Sequence, residues 1–233
     1  MLDVIGLTVK FPTLGVNAAT PFTDFQFSIG TGEIVGLCGP SGCGKTTFAT
    51  ALLGILEPPG FVAGGSAVFT RRNGESVDLF ALSEKYFRQL RGKEIGMIFQ
   101  DPVASLHPAN KISAQFTDTL RAHNTRLSRA QCLKTAEGWF DKMGFSEPKK
   151  IIASYPFELS GGMCQRVTIA MALALHPSLL IADEPTTALD VKNEEQILTM
   201  IRDARDRFGT SVILISHDLM VVTSVADRTV RLG

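Results

Sequence analysis

The chain has 233 residues, of which 45% are apolar, and its 23 basic residues balance its 23 acidic residues. This length and composition predict a globular protein of one large or two small units around a sizeable buried core. Because the formal charge is zero and both signs are mixed along the chain, the composition argues against a protein that holds nucleic acid by bulk electrostatics.

The composition also argues against a membrane span, a secretory signal and a disulfide framework. The most apolar region, residues 167–182, is broken by His176, Pro177 and Ser178 and falls short of the roughly 20 apolar residues that a bilayer span needs. The N-terminus lacks a basic segment followed by an apolar one, so we expect a cytosolic protein. The four cysteines lack CxxC spacing, which predicts reduced thiols rather than a zinc site.

Changes in hydrophobic period divide the chain into three regions. Residues 1 to about 100 are predicted to form short strands around one helix, with the strands at 4–11, 25–29, 34–38, 66–70 and 95–99. The next region, to about residue 176, is predicted to be mainly helical, with a capping box at Ser128 and Gln131 that opens a helix running through Met143.

The last third alternates strands with a helix. We predict strands at 179–182 and 211–215 and a helix at 194–208 that Gly209 terminates. Consecutive apolar residues in these strands are typical of a parallel sheet that is buried on both faces. The fold class predicted from these patterns is α/β.

The segment GPSGCGKTT, residues 39–47, matches the pattern GxxxxGK[ST] and joins a predicted strand to a predicted helix. Its glycines let successive N–H groups point inward, and the helix start adds positive charge, so the loop can bind phosphates. A glycine-rich turn that merely opens a helix is the alternative, and the flanking elements argue against it. The predicted nucleotide-binding residues are Gly39, Pro40, Ser41, Gly42, Cys43, Gly44, Lys45, Thr46 and Thr47.

Two acidic residues, Asp183 and Glu184, end a buried strand at the sheet edge where open α/β folds bind ligands. A solvated strand end would be the better interpretation if the phosphate loop were absent. With that loop upstream, Asp183 and the Thr46 hydroxyl are predicted to hold Mg²⁺, and Glu184 to polarise the attacking water. Lys45 is predicted to contact the β- and γ-phosphates of the nucleotide.

Four further motifs occur in the chain: FQDP at 99–102, LSGGMCQ at 159–165, TALD at 187–190 and ISHD at 215–218. With the phosphate loop and the acidic strand end, their order resembles the nucleotide-binding subunit of an ATP-binding cassette (ABC) transporter over essentially the full chain. The resemblance implies a P-loop (RecA-like) core with an N-terminal antiparallel β-subdomain, formed by 1–100 and 177–233. It also implies an inserted α-helical subdomain at about 101–176.

The resemblance gives each motif a function. It implies that Gln100 senses the γ-phosphate and the metal, that Glu184 is catalytic, and that His217 donates to a γ-phosphate oxygen. Phe11 matches the position that stacks on adenine, with Phe22, Phe25 and Phe27 as competing candidates.

The segment LSGGMCQ at 159–165 resembles the ABC signature, and its Ser-Gly-Gly start followed by a helical run makes a second anion-binding helix start. In the family this signature faces the phosphate loop of a second subunit. Ser160 is also predicted to act as the N-cap of a core helix, and this structural role is compatible with the functional one. The residues implied to contact ATP at this interface are Ser160, Gly161, Gly162, Gln165 and Asp190.

Three longer stretches, at 97–108, 155–166 and 182–191, resemble the peptide and nickel importer class. Met163 in the signature is the most specific residue and resembles the "D" ATPase of paired D and F ATPases. They imply a membrane-peripheral ATPase on the cytoplasmic face that binds ATP and Mg²⁺. Its implied partners are transmembrane permease subunits, a second and non-identical ATPase or a second copy, and indirectly an extracytoplasmic substrate-binding protein. Family members continue beyond the position of Gly233, so we expect either a short member or a truncated chain.

Two alternatives come from other classes of protein. A soluble ABC ATPase acting on nucleic acid or ribosomes would use the same motifs, but no coiled-coil insertion, tandem cassette or basic arm is present. A small-molecule kinase or GTPase would share the phosphate loop and leave residues 159–166 unexplained. The transported molecule is not encoded in this chain, because the permease and the binding protein select it.

Overall fold

The computed structural model describes residues 1–13, 16–187 and 189–232, without the side chains of residues 13–18. Ala188 of the TALD motif and the terminal Gly233 lie outside the described residues. In chain order the elements are β1 (Leu2–Thr13), β2 (Val16–Ile29), β3 (Ile34–Cys38), α1 (Lys45–Leu52), β4 (Phe61–Thr70), β5 (Ser76–Asp78), α2 (Glu84–Leu90), β6 (Ile95–Ile98), α3 (Ile112–His123), α4 (Arg129–Lys142), α5 (Pro148–Ala153), α6 (Gly161–Leu173), β7 (Leu179–Asp183), α7 (Val191–Phe208), β8 (Ser211–Ser216), α8 (Leu219–Val225) and β9 (Arg228–Arg231).

The strands form two sheets. The first is antiparallel with the order β2-β1-β4-β5, and the second is parallel with the order β6-β7-β8-β3-β9. In the parallel sheet, β3, β7 and β8 are buried along their whole length, which confirms the expectation from their consecutive apolar residues. Since β3 leads into the phosphate loop and β7 ends at Asp183, the sheet brings both motifs to one edge.

The antiparallel strands are longer than the predicted ones because parts of them pack backbone against backbone and lack an alternating pattern of apolar side chains. Strand β4 begins at Phe61 rather than at residue 66. Gly65 in this strand has a φ of 98°, and a Cβ there would lie 2.6 Å from the Gly6 carbonyl of β1. Glycine suits this backbone angle and so close an approach of the two strands. Because glycine has no side chain, the alternation of apolar and polar residues that would predict the strand is missing here.

Helix α1 lies between the two sheets and anchors one of the two buried cores. Phe48 is fully buried, and the rings of Phe22, Phe25 and Phe27 lie 5.0–6.1 Å from its ring. These distances fit favourable tilted or edge-to-face packing of aromatic rings. The helix that carries the phosphate-binding residues is therefore held through its own Phe48 by three aromatic side chains of β2.

The predicted helical region contains α3 to α6, and the structure confirms the capping box that opens α4. The Ser128 hydroxyl accepts a hydrogen bond from Gln131 N at 3.2 Å, and Gln131 Oε1 accepts one from Ser128 N at 2.8 Å. Apolar side chains of α3–α6 share one core with a face of the parallel sheet. Because no gap in this core separates the two parts, the subdomain boundaries at about 101 and 176 stay a prediction.

Some elements differ from the expectation. The prediction of a single helix within residues 1–100 was wrong, because α2 is a second one. It is only seven residues long and buries Phe87 and Leu90, so it shows no clear helical period. Helix α7 starts three residues earlier than predicted, where the Asp190 side chain accepts a hydrogen bond from Asn193 N at 2.9 Å. Gly209 ends this helix as expected, with a φ of 68°.

Among the described residues, no helix is both long enough and apolar enough to cross a bilayer. All four cysteines are free thiols, as the sequence predicted.

Candidate functional site

The phosphate loop connects β3 to α1 and turns through left-handed glycines. Gly44 caps α1 with a φ of 102°, and a Cβ there would lie 3.0 Å from the Phe22 ring. Lys45 folds back over the loop, and its Nζ donates to the carbonyls of Gly39 at 2.8 Å and Pro40 at 3.0 Å. An ammonium has three donors, so one donor of Lys45 stays free of the loop carbonyls.

Asp183 is the buried carboxylate of the site, with 1% of its surface exposed. Its Oδ2 accepts a hydrogen bond of 2.7 Å from the Thr46 hydroxyl, while its Oδ1 has no hydrogen-bond partner among the described residues. Burial raises the pKa of Asp183, and the hydrogen bond from Thr46 opposes that rise. The pair joins the start of α1 to the end of β7 and leaves one carboxylate oxygen available.

Glu184 follows in a left-handed conformation with a φ of 49°, which an L-residue adopts only when its surroundings hold it there. The N–H of His217 donates to its Oε1 at 3.0 Å, and His217 Nδ1 lies 2.9 Å from Oε1 and 2.8 Å from Oε2. The Thr187 hydroxyl donates to Oε2 at 3.0 Å. Both oxygens of Glu184 are therefore engaged by groups of its own chain.

A cavity of about 210 Å³ collects most of the residues predicted from the sequence. Its lining residues are Ser41, Gly42, Gly44, Lys45, Thr46, Thr47, Gln100, Asp183 and Glu184. His217 does not line this cavity and reaches it through its contact with Glu184. The arrangement sets backbone N–H groups and an ammonium opposite two carboxylates and an amide.

The predicted adenine contact lies outside this cavity. Phe11 is half-buried on β1, and its ring packs over Gly60, where a Cβ would meet the ring at 2.3 Å. Its competitors Phe22, Phe25 and Phe27 surround Phe48 in the core, as described above. The partial exposure of Phe11 keeps adenine stacking as a prediction for this residue.

The signature residues also lie outside the cavity. The Ser160 side chain caps α6 and accepts a hydrogen bond from Met163 N at 3.3 Å, and Ser160 and Gly161 are exposed. Asp190 caps α7 with its pKa lowered, chiefly by the hydrogen bond from the Asn193 backbone. This separation is what a site completed by a second subunit requires.

Gln165 differs from its expected position. It was predicted to contact nucleotide, but only 1% of it is exposed, and its Nε2 donates to the Pro185 carbonyl at 2.9 Å. Thr187 was read only as part of the TALD motif, although its hydroxyl binds Glu184 directly. Thr187 follows Glu184 by three residues, and in a turn this spacing brings a threonine hydroxyl close to an acidic side chain. The spacing could therefore have predicted the contact.

The donor set fits Mg²⁺. The described residues contain no group of three or more His, Cys, Asp or Glu side chains that could hold a metal. Mg²⁺ however needs only one or two carboxylates when phosphate oxygens and waters supply the other ligands. The free Oδ1 of Asp183, the Thr46 hydroxyl and the Gln100 amide offer hard oxygen ligands beside the phosphate loop.

Comparison with known proteins decides the family. The family model described as "ABC transporter" matches residues 22–187. The chain belongs to the ABC transporter family. The oligopeptide transport ATP-binding protein OppD of Bacillus subtilis is 43% identical over 229 residues, which cover 98% of this chain and 62% of that protein. OppD of Escherichia coli K12 is 41% identical over 228 residues, which cover 98% of this chain and 65% of that protein.

A probable peptide ABC transporter ATP-binding protein of Sinorhizobium fredii is 44% identical over 232 residues, 99% of this chain and 67% of that protein. The chain thus spans 62–67% of the length of these relatives. A solved dimer of the ATP-binding cassette MJ0796, in a post-hydrolysis state bound to ADP and Pi, matches with a TM-score of 0.87. It is 25% identical and covers 100% of this ABC cassette and 94% of its own chain, which confirms the predicted α/β P-loop fold.

Proposed function

We propose that this chain is the ATP-hydrolysing subunit of an ABC importer and works as a nucleotide-sandwich dimer. The observation that carries the proposal is the cavity in which the phosphate loop meets Gln100, Asp183 and Glu184. The peptide-transport names of the relatives favour import over the nucleic-acid alternative. A kinase or GTPase would leave the exposed signature at Ser160 and Gly161 without a role.

ATP binds with its phosphates at the start of α1, where the N–H groups of the loop and the helix end attract negative charge. Lys45 adds a point charge that is already held beside the loop by Gly39 and Pro40. Thr46, Gln100 and Asp183 would hold Mg²⁺, which when bound offsets the charge of the β- and γ-phosphates. Phe11 is proposed to stack on adenine from the edge of β1.

Glu184 is proposed to take a proton from the attacking water. The water oxygen bonds to the γ-phosphorus as the bond to the β–γ bridging oxygen breaks, which yields ADP and phosphate. The buried Glu184 lies beside His217, and that imidazole is proposed to donate to a γ-phosphate oxygen. Gln100 orients the water or the metal with its side-chain amide.

A second subunit completes each site. Ser160, Gly161, Gly162 and Asp190 are proposed to contact the ATP held on the partner's phosphate loop, where the start of α6 meets phosphate. ATP can close the two subunits only if it binds the closed form more tightly, and these contacts exist only in that form. The partner is a non-identical homologue or a second copy of this chain.

An apolar groove is proposed to receive the transmembrane permease. It has a volume of about 350 Å³, and large apolar side chains line it: Met97 of β6, Met171 of α6, and Leu53, Phe99 and Leu106 from the segments that follow α1 and β6. Phe99 and Val103 are exposed at this face, beside Gln100. The groove links the nucleotide site to a permease at the cytoplasmic face of the membrane, with an extracytoplasmic binding protein delivering cargo. We propose a peptide as that cargo, with nickel or a metal chelate as the alternative.

The test is Glu184→Gln. We expect the dissociation constant for ATP to stay within about twofold and hydrolysis to fall at least about 100-fold, because an amide cannot accept the proton. Nucleotide binding by fluorescence titration and phosphate release measure the two effects. Glu195→Gln, which removes an exposed carboxylate from α7, is the control and should retain wild-type hydrolysis. Undiminished hydrolysis by Glu184→Gln would contradict the proposal.

A further inference from the structure

Gln165 joins the signature helix to the catalytic turn. It lies on α6, five positions after Ser160, and only 1% of it is exposed. Its side chain crosses to the segment after β7 and meets the carbonyl of Pro185, the residue that follows Glu184. A carbonyl only accepts hydrogen bonds, so the group that faces it at 2.9 Å is the amide nitrogen.

The turn that Gln165 contacts is a strained one. Glu184 has a φ of 49°, and its N–H donates to the Ile215 carbonyl of β8 at 2.9 Å. A hydrogen bond from Thr187 N to the Glu184 carbonyl, 3.3 Å long, closes the turn. The bond from Gln165 reaches this turn from a different element, so a shift of α6 pulls on the residue next to Glu184.

The hydrogen bonding of Gln165 is incomplete. Its Oε1 is buried and has no partner among the described residues. An orphaned buried acceptor lowers stability, and an apolar side chain of the same size would avoid that loss. The same replacement would leave the buried Pro185 carbonyl without its donor, so the two effects on folding oppose each other, and the hydrogen bond of Gln165 serves mainly to fix the position of the turn.

We propose that Gln165 is a positioning residue that couples the start of the signature helix to Glu184 of the same chain. The inference rests on the proposed function, in which Ser160 meets the nucleotide bound by the partner and Glu184 acts on the chain's own nucleotide. Gln165 then transmits the state of one composite site to the catalytic base of the other. The two ATP sites of the dimer communicate through a single side-chain amide in each chain.

The test is Gln165→Met, which keeps the size and removes the donor. We expect kcat for ATP to fall at least about tenfold, because displacement of a catalytic group by a fraction of an ångström has effects of this order. KM and the ATP dissociation constant should stay within about twofold, and the melting temperature should change little, since removal of the orphaned acceptor offsets the donor that the Pro185 carbonyl loses.

Gln196→Met is the matched control. Gln196 on α7 donates the same type of bond, Nε2 to the Lys142 carbonyl at 2.9 Å, but Lys142 is remote in sequence from every proposed catalytic residue. This variant should keep the wild-type kcat. A Gln165→Met enzyme whose kcat matches that of the control, or whose kcat and melting temperature fall together, overturns the inference.

A double variant separates positioning from general damage and does not depend on the stability of one protein alone. In the Glu184→Gln background, Gln165→Met should leave the residual single-turnover rate unchanged within about twofold, because Gln165 acts through Glu184. An additive loss overturns the inference. If the wild-type chain hydrolyses no ATP either paired with a second copy of itself or in complex with its partner ATPase, the proposed function falls and the inference falls with it.

Discussion

The hydrogen bond between Thr46 and Asp183 carries a sharp prediction for the nucleotide-free chain. The bond is 2.7 Å long, Asp183 is 1% exposed, and its second oxygen has no hydrogen-bond partner in the part of the chain that the structure describes. The change Thr46→Val removes the hydroxyl and keeps the shape of the side chain. A buried carboxylate is then left without a hydrogen bond from any described side chain.

The magnitude follows from the charge of the acceptor. A hydrogen bond to a charged group contributes about 1.5–3 kcal/mol, against about 0.5–1.5 kcal/mol for a neutral pair. Burial already raises the pKa of Asp183 above its ordinary value of 3.8, and loss of the bond raises it further. The native state then binds a proton more readily than the unfolded state, so acidification favours folding at this residue. We expect a loss of about 1.5–3 kcal/mol at neutral pH that shrinks as the pH falls.

Urea unfolding of metal-free chain, measured in steps from about pH 8 to about pH 5, reads out both effects. Thr47→Val is the control, because it makes the same chemical change one position along α1 and leaves the bond to Asp183 intact. A loss in Thr46→Val no larger than in the control would refute the reasoning. A loss that stays constant across the pH range would show that Asp183 is not the group affected.

Three further predictions address binding, assembly and acid stability. Lys45→Ala should weaken ATP binding at least about 100-fold in equilibrium titrations, because the phosphates lose the ammonium that Gly39 and Pro40 hold beside the loop, and an unchanged affinity would count against the loop. Ser160→Arg should leave ATP binding by a single chain intact and abolish hydrolysis, so weaker single-chain binding would instead place Ser160 in its own chain's site. His176 has a pKa below its ordinary 6.5, first because of burial and then because of Lys142 and Arg72. Its unfolded form binds the proton more readily, so stability falls as the pH drops below about 6.5, and His176→Asn should flatten that slope in urea titrations.

The parts of the site that the sequence predicts are those in which local chemistry and strand order suffice. The glycines and Lys45 determine a phosphate loop by themselves, and parallel strands must bring β3 and β7 to the same sheet edge. The cavity unites that loop with Gln100, Asp183 and Glu184. None of these assignments needs a side-chain conformation, which is why a linear pattern predicts them.

The parts that the sequence does not predict depend on contacts between distant segments. Strand β9 has only Val230 as an inward apolar residue, and backbone pairing to β3 and the Arg228–Glu33 ion pair at 2.6 Å hold it in place. The orientation of Gln165 also depends on a distant segment. From the sequence alone a polar residue in the signature is predicted to contact the ligand, and only its burial in the folded chain shows otherwise. Tertiary structure, rather than propensity, decides both cases.

The two neighbouring carboxylates are suited to opposite tasks because their surroundings differ. Beside the phosphate loop, one oxygen of Asp183 has no partner among residues 1–13, 16–187 and 189–232, whereas Glu184 accepts from the backbone and ring of His217 and from Thr187. A carboxylate has about four acceptor positions, and the His217 ring nitrogen, within 2.9 Å of both Glu184 oxygens, competes with an attacking water for them, so we expect His217 to turn toward the γ-phosphate when Glu184 acts as a base. His217 is largely exposed and can make this move, while Thr187 and Gln165 hold the turn in place.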